Sequence, residues 1–186
     1  MNREEALSII DGHIEKDYMK KHMVAVGAIM EGLAEALGKD DEENNDWMLA
    51  GLLHDIDFEE IGDDFARHGL RSAEMLEGVV PQEVIQAIKS HNSHSTGFEP
   101  CSDMDFALIA SDALSGLLTA TALIMPAKRL SDVSVESVGK KFCKKDFAKN
   151  VSRERLLYCE KLGIQKEDFF DIGLRAMLDV SAELGL

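Results

Sequence analysis

The chain has 186 residues, of which 45% are hydrophobic and 30% charged, so it can bury the core of one domain of ordinary size. Its 20 Lys and Arg against 35 Asp and Glu leave a formal charge of −15, which argues against long nucleic acids and membrane surfaces as partners. The three cysteines form no C-x-x-C pair and are typical of reduced thiols. The charged first residues do not resemble an export signal, so we expect a cytoplasmic protein.

Helical periodicity dominates, and no segment shows the period-two alternation of a strand. The first predicted helix has apolar residues at alternating steps of four and three from Met19 to Leu37, and Gly38 ends it. The acidic segment 39–46 is interpreted as a surface connection. Further helices are expected at about 46–54, 63–77, 81–91, 104–125, 152–162 and 166–184, with Pro81 in a first turn and Ser152 as an N-cap. The sequence therefore predicts an all-α, single-domain helical bundle over 1–186, with C-terminal helices at 150–186 that pack on the rest.

The segment from Phe106 to Met125 contains one charged residue, Asp112, and is long enough to span a bilayer. A carboxylate in mid-bilayer costs about 3 kcal/mol, and several hydroxyl groups lie beside it, so a buried core helix is the better interpretation. An isolated buried carboxylate is also costly unless something pairs with it. A divalent cation is a natural partner.

Segment 126–150 is basic in an otherwise acidic chain. Its seven Lys and Arg against three Asp and Glu give a net charge of +4. A solvated surface is the preferred interpretation, because charge runs usually face solvent. The alternative is an anion-attracting rim beside a pocket.

The most informative motif is the segment 50–57, Ala-Gly-Leu-Leu-His-Asp-Ile-Asp, where an apolar helix end is followed by an adjacent histidine and aspartate. Further histidines and one aspartate lie on predicted helices or at their ends. Imidazole and carboxylate together suit Zn, Fe, Mn, Co or Ni better than Ca. The candidate metal ligands are His22, His54, Asp55, His68, His91 and Asp112.

The order H…HD…D formed by His22, His54–Asp55 and Asp112 resembles the HD-domain superfamily of metal-dependent phosphohydrolases. The resemblance covers residues 20–118 by motif, and beyond it the chain is similar to small bacterial and archaeal HD proteins. It implies an all-α bundle in which these four residues hold a first metal. It further implies that His68 and His91, which resemble the extra histidines of two-metal members, complete a second site with Asp55 as the bridge. The alternative for these two histidines is that they bind phosphate.

The resemblance implies one or two divalent transition-metal ions. The candidate catalytic residues are Asp55, within the motif, and Asp57, two positions after it. Bound metal lowers the pKa of a coordinated water toward ~7, which generates hydroxide near neutral pH. Some branches of the superfamily carry an acidic residue or a lysine four positions after the motif histidine, where this chain has Phe58. Asp57 and Glu59 flank that position, and a carboxylate from either would approach the site at another angle. The substrate is therefore not inherited from those branches.

Arg71 and Lys89 are the candidate substrate-binding residues. Arg71 lies one helical turn from His68 in the predicted helix, and a guanidinium can bind phosphate with two hydrogen bonds. The alternative for Arg71 is a surface ion pair with Glu74 or Glu77. His13 and His94 are interpreted as surface residues.

Taken singly, each candidate ligand could be a helix-edge or capping residue; together they favour a metal site. The leading hypothesis is a hydrolase that cleaves a phosphate ester or anhydride of a small nucleotide-like metabolite. Two alternatives remain open, a di-iron oxygenase of the same superfamily and a non-catalytic nucleotide-binding regulatory module. The C-terminal helix could pack internally or form a homodimer.

Overall fold

The structure is a computed structural model that describes all 186 residues, and it contains helices and turns but no strand, which confirms the all-α prediction. Short 3-10 turns lie at Leu130–Asp132 and Leu157–Leu162. The α-helices are α1 Arg3–His13, α2 Asp17–Ala36, α3 Asp41–Leu53, α4 Phe58–Ile61, α5 Leu70–Leu76, α6 Gln82–Ser90, α7 Ser93–Thr96, α8 Asp103–Leu123, α9 Val135–Phe142, α10 Arg153–Leu156, α11 Lys166–Asp179 and α12 Ser181–Leu184.

Helix α8 is the apolar helix at the centre of the bundle. It is long and apolar enough to cross a membrane, but 67% of its most apolar window is buried inside the fold. Its N-terminus is closed by a capping box, in which Ser102 accepts from the backbone N–H of Asp105 and the Asp105 side chain accepts from that of Ser102. Helices α2, α6, α9, α10 and α11 pack around it.

Helices α2 and α3 cross at a pair of glycines. A Cβ on Gly51 would lie 2.7 Å from the Cα of Gly27, so the two backbones come closer than any larger residue allows. This close approach brings the C-terminal end of α3 against α2. The two histidines that these helices carry, His22 and His54, are thereby placed side by side, with ring centroids 5.3 Å apart.

The C-terminal helices pack on the elements that precede them. Helix α11 contacts α2, α8 and α9, and Phe169 and Phe170 are fully buried there. Ser152 caps α10 by accepting from the backbone N–H of Arg155, as predicted. The Arg153 guanidinium donates to six backbone carbonyls between Lys141 and Val151, and so fixes the turns before α10.

Several predicted helix boundaries were wrong. Segment 39–46 is a connection only as far as Asp40, which caps α3, since the acidic first turn is favoured by the helix dipole. The predicted helix 63–77 begins only at Leu70, because Gly69 has a φ of 85°. Pro81 precedes α6 instead of lying in its first turn. The segments 152–162 and 166–184 each divide into two shorter elements, and the helices α1, α4 and α7 were not predicted.

Candidate metal centre

Six polar side chains from separate parts of the fold converge at one place in the bundle. Two of them directly follow α3, one directly follows α6, and one lies in the turn before α5; the other two lie within α2 and α8. In chain order they are His22, His54, Asp55, His68, His91 and Asp112, the residues that the sequence predicted as ligands.

The turn before α5 reaches the cluster because it contains a glycine. Gly69 adopts a positive φ, and a Cβ there would lie 2.7 Å from the carbonyl oxygen of Ile88 and 2.9 Å from Cε1 of His91. Any other residue would push this turn away from α6. The neighbouring His68 is thereby held with its Nε2 3.3 Å from Nε2 of His91.

The carboxylate of Asp55 lies at the centre of the cluster. Its Oδ1 is 3.2 Å from Nε2 of His54, 3.2 Å from Nε2 of His68 and 3.4 Å from Nε2 of His91, and its Oδ2 is 3.5 Å from Nε2 of His22. Ligands at about 2.0–2.1 Å from an ion are about 2.8–3.0 Å from their neighbours in octahedral geometry and about 3.3–3.4 Å in tetrahedral geometry. The spacing of these donor atoms therefore fits a bound transition metal.

Three histidines have their second ring nitrogen fixed by an acceptor. Nδ1 of His54 and Nδ1 of His91 each donate to the carbonyl oxygen three residues earlier, at 2.8 and 2.6 Å. Nδ1 of His68 lies 2.9 Å from Oδ1 of Asp57. Since a carbonyl or carboxylate oxygen only accepts here, each Nδ1 carries a hydrogen, and each Nε2 is left to bind a proton or a metal ion within the cluster.

The fourth histidine, His22, is fixed by Ser115. The Ser115 hydroxyl donates to the carbonyl oxygen of Asp112 at 2.8 Å, so it accepts from Nδ1 of His22 at 3.1 Å. Nε2 of His22 then faces Oδ1 of Asp112 at 3.3 Å. All four rings thus direct Nε2 toward carboxylate oxygens, an arrangement that requires positive charge between them.

The electrostatics of the cluster agree with that requirement. Burial disfavours protonation of His22, but Asp112 and Asp55 outweigh it and raise its pKa to about 10. Burial disfavours the ionised form of Asp55, yet the surrounding histidines hold its pKa well below the ordinary value. Oδ1 of Asp55 and Nε2 of His54 are buried without a hydrogen-bond partner. A cation bound among these atoms would satisfy both.

The family model of the HD domain matches residues 19–122, more than half of the chain. The chain belongs to the HD domain family. This confirms the resemblance seen in the sequence and places the protein in a superfamily whose members are mostly hydrolases that depend on divalent metals. Comparison with curated proteins and with solved structures finds no match to the chain.

Asp57 of this HD domain lies behind the cluster. Its side chain is fully buried; Oδ1 accepts from His68, and Oδ2 accepts from the backbone N–H groups of Gly69 and Ser72 at 2.7 and 3.1 Å. Burial raises the pKa of Asp57, but these donors, His68 foremost, bring it below the ordinary value. With both oxygens engaged by the protein, this carboxylate supports a histidine and does not face a substrate as the sequence suggested.

Arg155 contacts the cluster, and the sequence analysis did not identify it. One nitrogen of its guanidinium, Nη2, donates to Oδ2 of Asp112 at 2.8 Å and to the carbonyl oxygen of His91, also at 2.8 Å. Burial raises the pKa of Asp112, whereas His22 and Arg155 lower it well below its usual range. Arg155 lies outside the matched residues, 43 positions after Asp112. No local sequence signal distinguishes it from other surface arginines.

The two predicted substrate-binding residues make their contacts outside the cluster. Arg71 pairs with Glu60 at 2.8 Å and with Glu74 at 3.2 Å, which is the ion-pair alternative. Nζ of Lys89 lies 5.4 Å from the ring centroid of Phe98. The basic segment 126–150 makes no hydrogen bond or ion pair to the cluster, in keeping with a solvated surface.

Phe58 occupies the position at which other branches carry a charged residue. Its ring meets that of His68 edge-on, with centroids 6.2 Å apart. The carboxylate of Glu59 accepts from the backbone N–H groups of Glu15 and Lys16 and is therefore directed toward the start of α2. Asp57 is engaged behind His68 and Glu59 is turned toward α2, so neither carboxylate takes the place of a charged side chain at position 58.

Proposed function

We propose that this HD domain is a phosphohydrolase that uses one or two divalent transition-metal ions to cleave a phosphate ester or anhydride of a small nucleotide-like metabolite. The observation that supports it most directly is the convergence of four histidine Nε2 atoms on the Asp55 carboxylate, each with its Nδ1 already engaged. Such a set of imidazoles and carboxylates, with each Nε2 turned toward a carboxylate oxygen, suits a transition metal.

The arrangement of the donors supports two ions. Two overlapping groups of donor atoms each lie within 4.8 Å, one formed by His22, His54 and Asp112 and the other by His54, Asp55 and His91. Because Nδ1 of His54 is engaged, its Nε2 would serve one ion only, and a second ion would need His68, whose Nε2 lies 3.2 Å from Oδ1 of Asp55 and 3.3 Å from Nε2 of His91. The two oxygens of Asp55 face different histidines, Oδ2 toward His22 and Oδ1 toward the rest. This is the geometry expected of a carboxylate that bridges two sites.

Bound divalent cations supply charge neutralisation for a phosphoryl oxygen and lower the pKa of a coordinated water, so that hydroxide forms near neutral pH. The chain itself orients the ligands. Arg155 engages Oδ2 of Asp112 and leaves Oδ1 directed at the cluster, while Asp57 fixes the ring of His68. In the net reaction an oxygen from water forms the new P–O bond, the ester or anhydride P–O bond breaks, and the leaving group departs with a proton.

The test is metal content together with phosphate release. We expect one or two transition-metal ions per chain in the wild type, and loss of both metal and turnover in His54→Ala and Asp55→Ala. His94→Ala is the matched control, because His94 is exposed and lies outside the cluster. Loss of turnover in the control, or full metal-dependent turnover in both cluster variants, would contradict the assignment.

The same experiment separates the two alternatives. Abundant iron with oxygen consumption and no phosphate release would identify an oxygenase. Metal and nucleotide binding without turnover under any metal would identify a regulatory module. Absence of metal from the wild type after reconstitution would show that the cluster is structural.

A further inference from the structure

The cluster is most accessible at His22 and Asp112, although the side chain of His68 is also 14% exposed. The side chains of His54 and His91 are 0% and 2% exposed and that of Asp55 is 8% exposed, whereas those of His22 and Asp112 are 24% and 20% exposed. The most exposed approach to the centre therefore passes His22 and Asp112.

A cavity of about 390 Å³ lies on this side, between α2, α8 and the turn that follows α12. His22 lines it, and so does Tyr18, one helical turn earlier on α2. On α8 its lining residues Gly116, Thr119 and Leu123 follow Asp112 at intervals of four, seven and eleven residues, so they continue the face that carries this ligand. A larger cavity of about 490 Å³ between α2 and α11 contains no cluster residue.

The exposed surface of the His22 cavity is largely apolar, and its only ammonium group, on Lys21, lies in an ion pair. Tyr18 and Leu123 are among the few large hydrophobic residues with exposed side chains, at 61% and 49%, and both lie here. Apart from His22, its charged side chains are Asp17 and Lys21, which neutralise each other in an ion pair at 2.9 Å. A second phosphate or a carboxylate would find no unpaired cation among these side chains.

We propose that the His22 cavity binds the organic group of the substrate, and that this group is uncharged and apolar, of the size of an aromatic ring system. The substrate is then a phosphate monoester with its phosphate at the metal centre and its ring beside Tyr18. A polyphosphate or a dicarboxylate does not fit this cavity. The inference rests on the proposed function, which supplies the position of the phosphate.

The test uses phosphonates, whose C–P bond is not cleaved by a phosphohydrolase, so that binding is measured without turnover. Isothermal titration of the metal-loaded protein compares phenylphosphonate with methylphosphonate, which share the phosphonate group and differ in the ring. We expect the wild type to prefer phenylphosphonate by about tenfold, because the ring removes apolar surface from water. 4-Carboxyphenylphosphonate keeps the ring but adds a charge, and we expect it to lose that preference.

Two variants change the cavity without touching a ligand. Tyr18→Ala removes one apolar wall, and Thr119→Trp fills the space; each should abolish the preference while affinity for methylphosphonate and metal content stay unchanged. Val79→Ala is the control, since Val79 is 48% exposed and does not line this cavity. It should bind both phosphonates as the wild type does.

Equal affinity of the wild type for phenyl- and methylphosphonate would overturn the assignment of the cavity alone, and so would a preference that survives both substitutions. Tight binding of the carboxylated ring would overturn the requirement for an uncharged group. If neither phosphonate binds the metal-loaded protein, the proposed function fails together with this inference.

Discussion

Substitution of Gly51 by alanine tests whether the crossing of α2 and α3 sets the metal centre. The added Cβ would lie 2.7 Å from Cα of Gly27, 2.8 Å from its nitrogen and 2.8 Å from the carbonyl oxygen of Val26. All three atoms belong to the backbone and cannot rotate away. The helices must therefore move apart, and the ends that carry His22 and His54 move with them.

Overpacking of a well-packed contact costs about 1–3 kcal/mol, and a clash with rigid backbone belongs at the upper end of this range. For a chain of this size about 3 kcal/mol corresponds to a decrease in Tm of about 6–12 °C. Gly139→Ala is the matched control, because Gly139 lies inside α9 and a Cβ there meets nothing within 4 Å. It should raise stability by about 0.5–1 kcal/mol through helix propensity.

Thermal unfolding followed by circular dichroism measures both variants, and elemental analysis measures the metal that each retains. We expect Gly51→Ala to lose both stability and metal, and Gly139→Ala to keep its metal and melt slightly higher. A Gly51→Ala protein that melts within 2 °C of the wild type with full metal content would refute the view that this glycine contact positions the two histidines.

Other substitutions and treatments probe the surroundings of the cluster. Asp57→Asn replaces the carboxylate that accepts from His68 and from two backbone N–H groups by an amide, which holds the His68 ring less firmly. Metal affinity measured by titration should therefore fall about 10–100-fold. Unchanged affinity would contradict the supporting role of Asp57. Arg155→Gln removes the hydrogen bonds to Asp112 and to the carbonyl oxygen of His91, so we expect the free energy of unfolding to fall by about 1–2 kcal/mol. The control is Arg175→Gln, at a side chain 77% exposed, which should change it by less than about 0.5 kcal/mol. Equal effects of the two substitutions would contradict a specific role for Arg155. Burial raises the pKa of Cys159 to about 11. A thiol reagent at pH 8 should therefore label only the exposed Cys101 and Cys143 until the protein unfolds. Rapid labelling of all three cysteines in the folded protein would contradict this. Chelation should lower Tm, because metal binds the folded cluster and not the unfolded chain; an unchanged Tm after verified metal loss would exclude that coupling.

Local signals in the sequence were enough for the fold class and for most helices. The apolar spacing from Met19 to Leu37 gave α2 because the periodicity of a helix is a property of neighbouring residues. Ser152 was identified as a cap for the same reason. The start of α5 was misplaced because the conformation of Gly69 follows from its contact with α6, which lies elsewhere in the chain.

The candidate ligands could also be selected from the sequence. The adjacent His54 and Asp55 form a motif, and the order of the other four residues before and after it resembles that of the HD domain family. What each polar group does was decided only by tertiary contacts. Asp57 is close to the motif in sequence, yet its burial behind His68 gives it a supporting position. Arg155 reaches Asp112 only because α10 packs on α8. Periodicity and motifs report what neighbouring residues do, whereas the partner of a carboxylate depends on which distant helix the folded chain brings against it.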